Sequence, residues 1–347
     1  AKCIVKQAIS AFLVFYTRQR LPGGCLKVTL HPMTKSPEFY ELPNGLKGIH
    51  LPAAGAVTHL AVMVKVGARN ELPEQSGITH FIEHTLFKGT KNRTNIHIVN
   101  GLDKVGGELN AYTTKELTCL HASFANRYLE LAADVLADIV MNATFPAKEI
   151  EKEKEVVAEE IRMYLDTPGE QIFDDYETYL FGKHPLGNSV LGQEATIRKL
   201  KTKDLLSFVK QHYNAANMIL CSSGDFTVAQ MQVVANRFFG NLQTKHTAVP
   251  EKAKLPTLRK GYLYLKRDTF QGHVITGGKA FAKDHKGRTS LSLLLNVLGG
   301  PAMNSRLNIS IREKQGLAYA AEAGATGFTD AGFFSVYVVT EAQNIAK

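Results

Sequence analysis

The 347-residue chain contains no tryptophan and only four cysteines, Cys3, Cys25, Cys119 and Cys221. None of the four falls in a paired spacing, which argues against a cysteine metal knuckle and a disulfide framework. Cys119 and Cys221 sit in apolar, strand-like runs, so buried, reduced thiols and a reducing compartment are expected. Long hydrophobic runs are also missing. The best candidate, Ala8 to Tyr16, falls far short of the ~20 residues that span a bilayer, and Arg18 and Arg20 follow it where a secretory signal would carry small residues. No membrane span is expected. Acid is absent from residues 1–37, which hold Lys2, Lys6, Arg18, Arg20, Lys27 and Lys35. Of the net charge of +9, the rest of the chain therefore carries about +3 (9 − 6). No basic helix and no interleaving of aromatic and basic residues appears in the body, so nucleic acid is not an expected partner. The first 37 residues read as a disordered basic leader, with an organellar targeting peptide as the alternative. The expected location is cytoplasmic, with the mitochondrial matrix as the alternative.

A length of 347 residues and 44% hydrophobic content suggest two domains with real cores. The most informative stretch is His80-Phe81-Ile82-Glu83-His84. On a helix, residues four apart lie one above the other, so His80 and His84 can turn ring nitrogens toward one ion about 2.0–2.1 Å from each. Glu83 lies beside them, placed to hold a water at the metal and act as general base. Ile78, Phe81, Ile82 and Leu86 would seat this helix on a core, with Ser76 as its N-cap and Gly89 at its end.

Catalytic zinc takes three protein ligands, so a further donor is expected on a second buried element. The segment Ala147 to Leu165, opened by Pro146 and stopped at Asp166-Thr167-Pro168, reads as a long helix. At about 100° per residue, Glu149, Glu153 and Glu160 fall within roughly 40° of one another, and Val156, Val157 and Ile161 share or flank that stripe. Glu151, Glu155 and Glu159 with Lys152, Lys154 and Arg162 read as a solvated, ion-paired face. Spacing alone leaves both Glu153 and Glu160 open as the third ligand.

These residues carry a resemblance. The chain resembles the pitrilysin-type (M16) zinc metallopeptidases, the inverzincin group that includes insulin-degrading enzyme and the mitochondrial processing peptidase, and within it the shorter bacterial and processing-type members. The likeness extends over most of residues 38–347. The family places its last ligand about 75 residues after the motif, in a helix of the form E-x-x-V-x-x-x-E, which Glu153-Lys-Glu-Val-Val-Ala-Glu-Glu160 fits. The resemblance therefore implies one Zn2+ per chain held by His80, His84 and Glu160, with Glu153 orienting a histidine. Gly106-Gly-Glu-Leu-Asn110-Ala-Tyr-Thr113 resembles the edge strand to which an unfolded peptide adds, implying substrate contacts at Asn110, Ala111 and Thr113. Read by itself, it is an alternating strand after a Gly-Gly turn. Arg312-Glu-Lys-Gln-Gly-Leu-Ala-Tyr319 resembles R-E-K-x-G-L-x-Y, which implies that Arg312 and Tyr319 bind the substrate carbonyl and the oxyanion. Without the resemblance, Arg312 reads as a surface helix residue and Tyr319 as a core aromatic.

The order of elements suggests an internal repeat of α+β domains: a strand, a helix, then paired strands. Residues 38–242 are expected to form the metal-binding domain, entered through a tight turn at Asn44-Gly45. Residues 243–260, with Pro250 and Pro256, read as a linker, and 261–347 as a second domain. The position matching His80 there carries Leu291-Ser-Leu-Leu-Leu-Asn, so this domain is expected to be non-catalytic. The resemblance implies that the two close like a clamshell, and that chains pair as a homodimer or as a heterodimer with a non-catalytic paralogue. The second half stops where the first would have about a hundred residues to run, so the chain is expected to end inside a domain, with poor solubility as a consequence. Two rival readings are a non-catalytic peptide-binding or scaffold subunit, and a metal hydrolase acting on another bond.

Overall fold

The computed structural model describes residues 36–244, 255 and 257–346, so Cys3, Cys25, nearly all of the basic leader and most of the expected linker lie outside the described residues. The described residues fall into two compact units. One takes those up to 157 and from 190 to 244, the other those from 158 to 189 and from 255 onward. Residues 158–189 are thus grouped with the second unit and not with the rest of 38–242.

The first unit is built on six strands, β1 (Glu38–Glu41), β2 (Lys47–Pro52), β3 (Val57–Val64), β4 (Glu108–Thr113), β5 (Thr118–Ala125) and β6 (Met218–Gly224), in the order β1-β2-β6-β3-β5-β4. The expected Asn44-Gly45 turn joins β1 and β2, with Gly45 at φ +81°. That is the left-handed region glycine reaches without steric cost. β2 and β6 pair in parallel, Ile49 opposite Cys221, and the other pairs are antiparallel. Central strands are buried on both faces, which is why β3 reads as an almost continuous apolar run. One face gathers Ile49, Ala61, Met63, Cys119, Ile219 and Cys221. Both cysteines are buried free thiols, and burial pushes the Cys119 thiol up to about 12.

Eight helices of the chain are α1 (Ile78–Leu86), α2 (Asn95–Asp103), α3 (Leu129–Asn142), α4 (Ala147–Leu165), α5 (Pro168–Phe181), α6 (Glu194–Ile197), α7 (Thr202–His212) and α8 (Val228–Phe239). Helix α3 packs on β3, β5 and α8, and α1 lies beside β4. Pro168 does end α4, but it also opens α5 as a first-turn proline. Asp174, Asp175 and Glu177 are therefore helical.

The second unit pairs β7 (Gln271–Lys279), β8 (Ala318–Gly327) and β9 (Gly332–Glu341) in the order β7-β9-β8, with α9 (Arg288–Gly299) between β7 and β8. This is the order β3-β5-β4 with a helix after its first strand, so the internal repeat is real. Its core is Leu180, Phe181, Leu186, Phe328, Ala331 and Phe333. Leu293, Leu294 and Val297 of α9 are exposed. Among the described residues no helix is long and apolar enough to cross a membrane.

Candidate functional site

Helix α1 carries the HxxEH motif on a fully buried apolar face: Ile78, Phe81, Ile82 and Leu86 have no accessible surface. Its start differs from expectation. The N-cap is Gly77, at φ +89°, and no side chain of the cap residue contributes. Instead the buried Glu71, six residues earlier, accepts from Gly77 N–H at 2.7 Å and Thr79 N–H at 2.9 Å, and from Thr79 Oγ1 at 2.5 Å. The two amides are donors that a helix N-terminus leaves over. A residue with a Cβ is excluded at Gly77, since that atom would lie 2.7 Å from the Leu191 carbonyl oxygen. The helix ends at Leu86 with Phe87 as C-cap, short of Gly89.

Along α1, His80 and His84 stack edge to face with ring centroids 4.6 Å apart. Helix α4 runs without a break from Ala147 to Leu165. On it Glu153 is buried, and its Oε1 accepts from His84 Nδ1 at 3.1 Å while its Oε2 meets Lys88 Nζ at 2.6 Å. Burial pushes the Glu153 carboxyl up, but the hydrogen bonds from His84 and Lys88 and the Lys88 charge outweigh it, so it is held below the usual carboxylate range. A carboxylate on Nδ1–H leaves Nε2 as the His84 nitrogen that can hold a metal. Two turns further on, Glu160 completes a group in which His80, His84 and Glu160 each offer one ligand atom, all within 4.8 Å of one another. Of the two candidate acids, Glu160 is the one grouped with the histidines, and Glu153 backs one of them. Two imidazoles and a carboxylate are a donor set that suits zinc with a position left for solvent.

The rest of α4 departs from the expected pattern in two places. Val156 is 51% exposed, and the buried stripe runs through Ile150, Glu153, Val157, Ala158 and Ile161. Lys154, expected in solvent, is 6% exposed. Its stem lies along the core while Nζ reaches Glu151 at 2.8 Å. Glu151, Glu155 and Glu159 are exposed as expected, and Glu155 pairs with Arg198.

Glu83 is half-buried on the same helical turn as the ligands. Burial and then the charge of Glu83 push the phenol of Tyr213 well above its ordinary value, which places that buried tyrosine in the field of the carboxylate. Asn110, Ala111 and Thr113 lie on β4, an edge of the sheet, with Asn110 opposite His121 and Thr113 opposite Thr118. Asn110 is exposed, and its Oδ1 accepts from Ala111 N–H at 2.8 Å. Arg312 and Tyr319 belong to the second unit. Arg312 sits in a short π-helix, Asn308–Lys314, and Tyr319 at a register shift in β8 between Ala318 and Ala320. Tyr319 is 55% exposed, so it is not a core aromatic. Bulges of this kind re-aim a side chain.

Sequence reasoning missed Glu71, Lys88 and Tyr213. Lys88, four residues after His84, was in principle findable as the next residue on the motif face. Glu71 and Tyr213 reach the site only through the tertiary fold.

Residues 52–194 match the insulinase family, Peptidase family M16, and residues 199–347 match the M16 inactive domain. An uncharacterized zinc protease of Mycobacterium leprae is 37% identical over 305 residues, covering 85% of this chain and 67% of its own. The uncharacterized zinc protease YmxG of Bacillus subtilis is 34% identical over 311 residues, covering 89% of this chain and 75% of its own. The chain thus spans about two thirds to three quarters of the length of these relatives. A protease from Helicobacter pylori superposes with a TM-score of 0.83 at 26% identity, over 88% of this chain and 75% of that one. A peptidase M16 inactive domain from Pseudomonas fluorescens shares the fold with a TM-score of 0.81 at 20% identity, over 89% and 75%. With the HxxEH helix, the Glu160 helix and the repeated α+β architecture in place, the chain belongs to the insulinase family of peptidases, family M16, whose relatives here are named zinc proteases.

Proposed function

We propose that the chain is a zinc-dependent endopeptidase that cuts unfolded peptides, with one zinc per chain held by His80, His84 and Glu160. The observation that carries this reading is the convergence of those three donors. Bound there, zinc supplies a Lewis acid that lowers the pKa of water and polarises a carbonyl. Glu83 then takes the proton from the attacking water and later delivers it to the leaving amine. Glu153 fixes the His84 ring through Nδ1 and keeps its tautomer.

An open edge strand favours an extended substrate, because main-chain hydrogen bonds to β4 need a chain that is itself a strand. Asn110, Ala111 and Thr113 are assigned to hold that chain, and Arg312 and Tyr319 to hold the carbonyl and the developing oxyanion. A folded protein could not present such a strand. The reading includes paired chains, either two copies or one copy with a non-catalytic paralogue, in the cytoplasm or the mitochondrial matrix.

The test is a quenched, unstructured peptide assayed beside an activated ester of similar size. Peptide cleavage that a chelator stops and zinc restores supports the proposal. Ester turnover alone would assign another hydrolase, and zinc binding with no turnover of either would assign a scaffold subunit.

A further inference from the structure

The five residues Gly67-Ala-Arg-Asn-Glu71 leave β3 and touch both halves of the site. At one end, Ala68 N–H donates to the Thr114 carbonyl at 3.2 Å and Arg69 N–H to the Lys115 carbonyl at 2.8 Å. Those carbonyls belong to the turn between β4 and β5, the hairpin whose outer strand is the sheet edge. Arg69 Nη1 also meets Glu116 Oε1 at 2.8 Å, with side chains only 8% and 10% exposed. The approach is so close that a Cβ on Gly67 would lie 2.1 Å from the Thr114 oxygen. At the other end, Glu71 takes three hydrogen bonds from the first turn of α1. Asn70 closes the middle, accepting from Gly67 N–H at 3.1 Å while its own N–H donates to the Gly67 carbonyl at 2.8 Å. Burial pushes the Glu71 carboxyl up to about 7 against those three hydrogen bonds, so the group sits where charge is costly to keep.

We propose that this loop is a brace that sets the spacing between the metal-bearing helix and the substrate edge strand, with Glu71 and Arg69 as its two positioning residues. The proposal rests on the peptidase reading above. Neither residue touches zinc or peptide. Glu71 holds the turn that aims His80, and Arg69 holds the turn that aims Asn110 to Thr113. The two ends therefore fail differently.

The experiment compares the full chain with Glu71→Gln, Thr79→Val, Arg69→Gln and Arg69→Lys. It measures the zinc dissociation constant by chelator competition, kcat and KM on a quenched unstructured peptide, and Tm. Glu71→Gln should weaken zinc binding on the order of tenfold and lower kcat, with KM unchanged within about twofold. Thr79→Val, which deletes one donor and no charge, should do the same to a smaller degree, and keeps the test open if the glutamine variant folds poorly. Arg69→Gln should raise KM about tenfold with zinc affinity unchanged, and Arg69→Lys should restore most of it. Lower Tm values with zinc affinity, kcat and KM all unchanged would overturn the proposal, as would zinc affinity and KM moving together in every variant. A wild type that neither binds zinc nor cuts peptide would overturn the peptidase reading itself and take the brace with it.

Discussion

At the scale of single residues, four carboxylates near one pair of histidines are separated by what each one touches. Glu160 shares the ligand cluster, Glu153 is tied to His84 and Lys88, Glu71 caps the helix, and Glu83 stays half-buried beside the ligands. Glu153→Gln should therefore weaken zinc binding by about 10- to 100-fold without removing a ligand. Chelator competition checks this, and affinity equal to wild type would contradict it. His80, Glu83 and His84 were legible in the sequence because helical spacing alone brings them together. From spacing alone Glu160 was legible only as one of two acids on one face, since periodicity sets direction around an axis and not which turn meets the partner helix; the family resemblance singled it out. Lys154 and Val156 were misplaced for a related reason. A long polar stem can lie in a core, and an apolar residue at the margin of a stripe can face water.

At the scale of elements, the loop between α1 and α2 is pinned to α3 by one buried carboxylate. Asp138 accepts from Thr90 Oγ1 at 2.6 Å, Asn92 Nδ2 at 2.6 Å, Arg93 Nη1 at 2.7 Å and Asn142 Nδ2 at 2.9 Å. Burial pushes its carboxyl up, but these four hydrogen bonds outweigh it, so the folded pKa lies below the ordinary value. A folded pKa depressed in this way contributes stability that is present above the unfolded value, about 3.9, and is lost as pH falls through the folded one. Asp138→Asn should cost about 2–3 kcal/mol near neutral pH, because the charge-assisted hydrogen bond to Arg93 is lost, although Arg93 keeps Asp134, and an amide cannot accept all four donors. The gap to wild type should narrow as pH drops below about 4. Denaturant melts at pH 7 and pH 3 check this, and a gap independent of pH would contradict it. Nothing in the sequence announces this network, because its donors come from a loop with no period of its own. The strands and long helices were legible for the opposite reason, since β3 and α4 carry their burial pattern in consecutive residues.

At the scale of the whole molecule, two α+β units repeat one strand-and-helix order, but only the first carries the HxxEH helix. In the second, α9 stands where α1 stands and presents leucines in place of histidines. The repeat was visible in the sequence as two similar series of apolar segments. The grouping of residues 158–189 with the second unit was not, because α4 continues through the division and composition does not change there. On the proposed reading zinc is held by the folded cluster of His80, His84 and Glu160 and not by the unfolded chain, so the metal should raise stability by mass action. Chelator should lower Tm, and zinc added at about 100 times its dissociation constant should restore about 2.7 kcal/mol. A Tm indifferent to both would contradict a metal held by the native state.

The most direct test measures zinc per chain together with cleavage of a quenched, unstructured peptide, in the wild type and in Glu83→Gln. The account predicts one zinc in both proteins, and a fall in kcat of about 10²- to 10⁴-fold in the variant alone. Equal rates would contradict the role of Glu83, and absence of zinc from the wild type would contradict the metal centre itself.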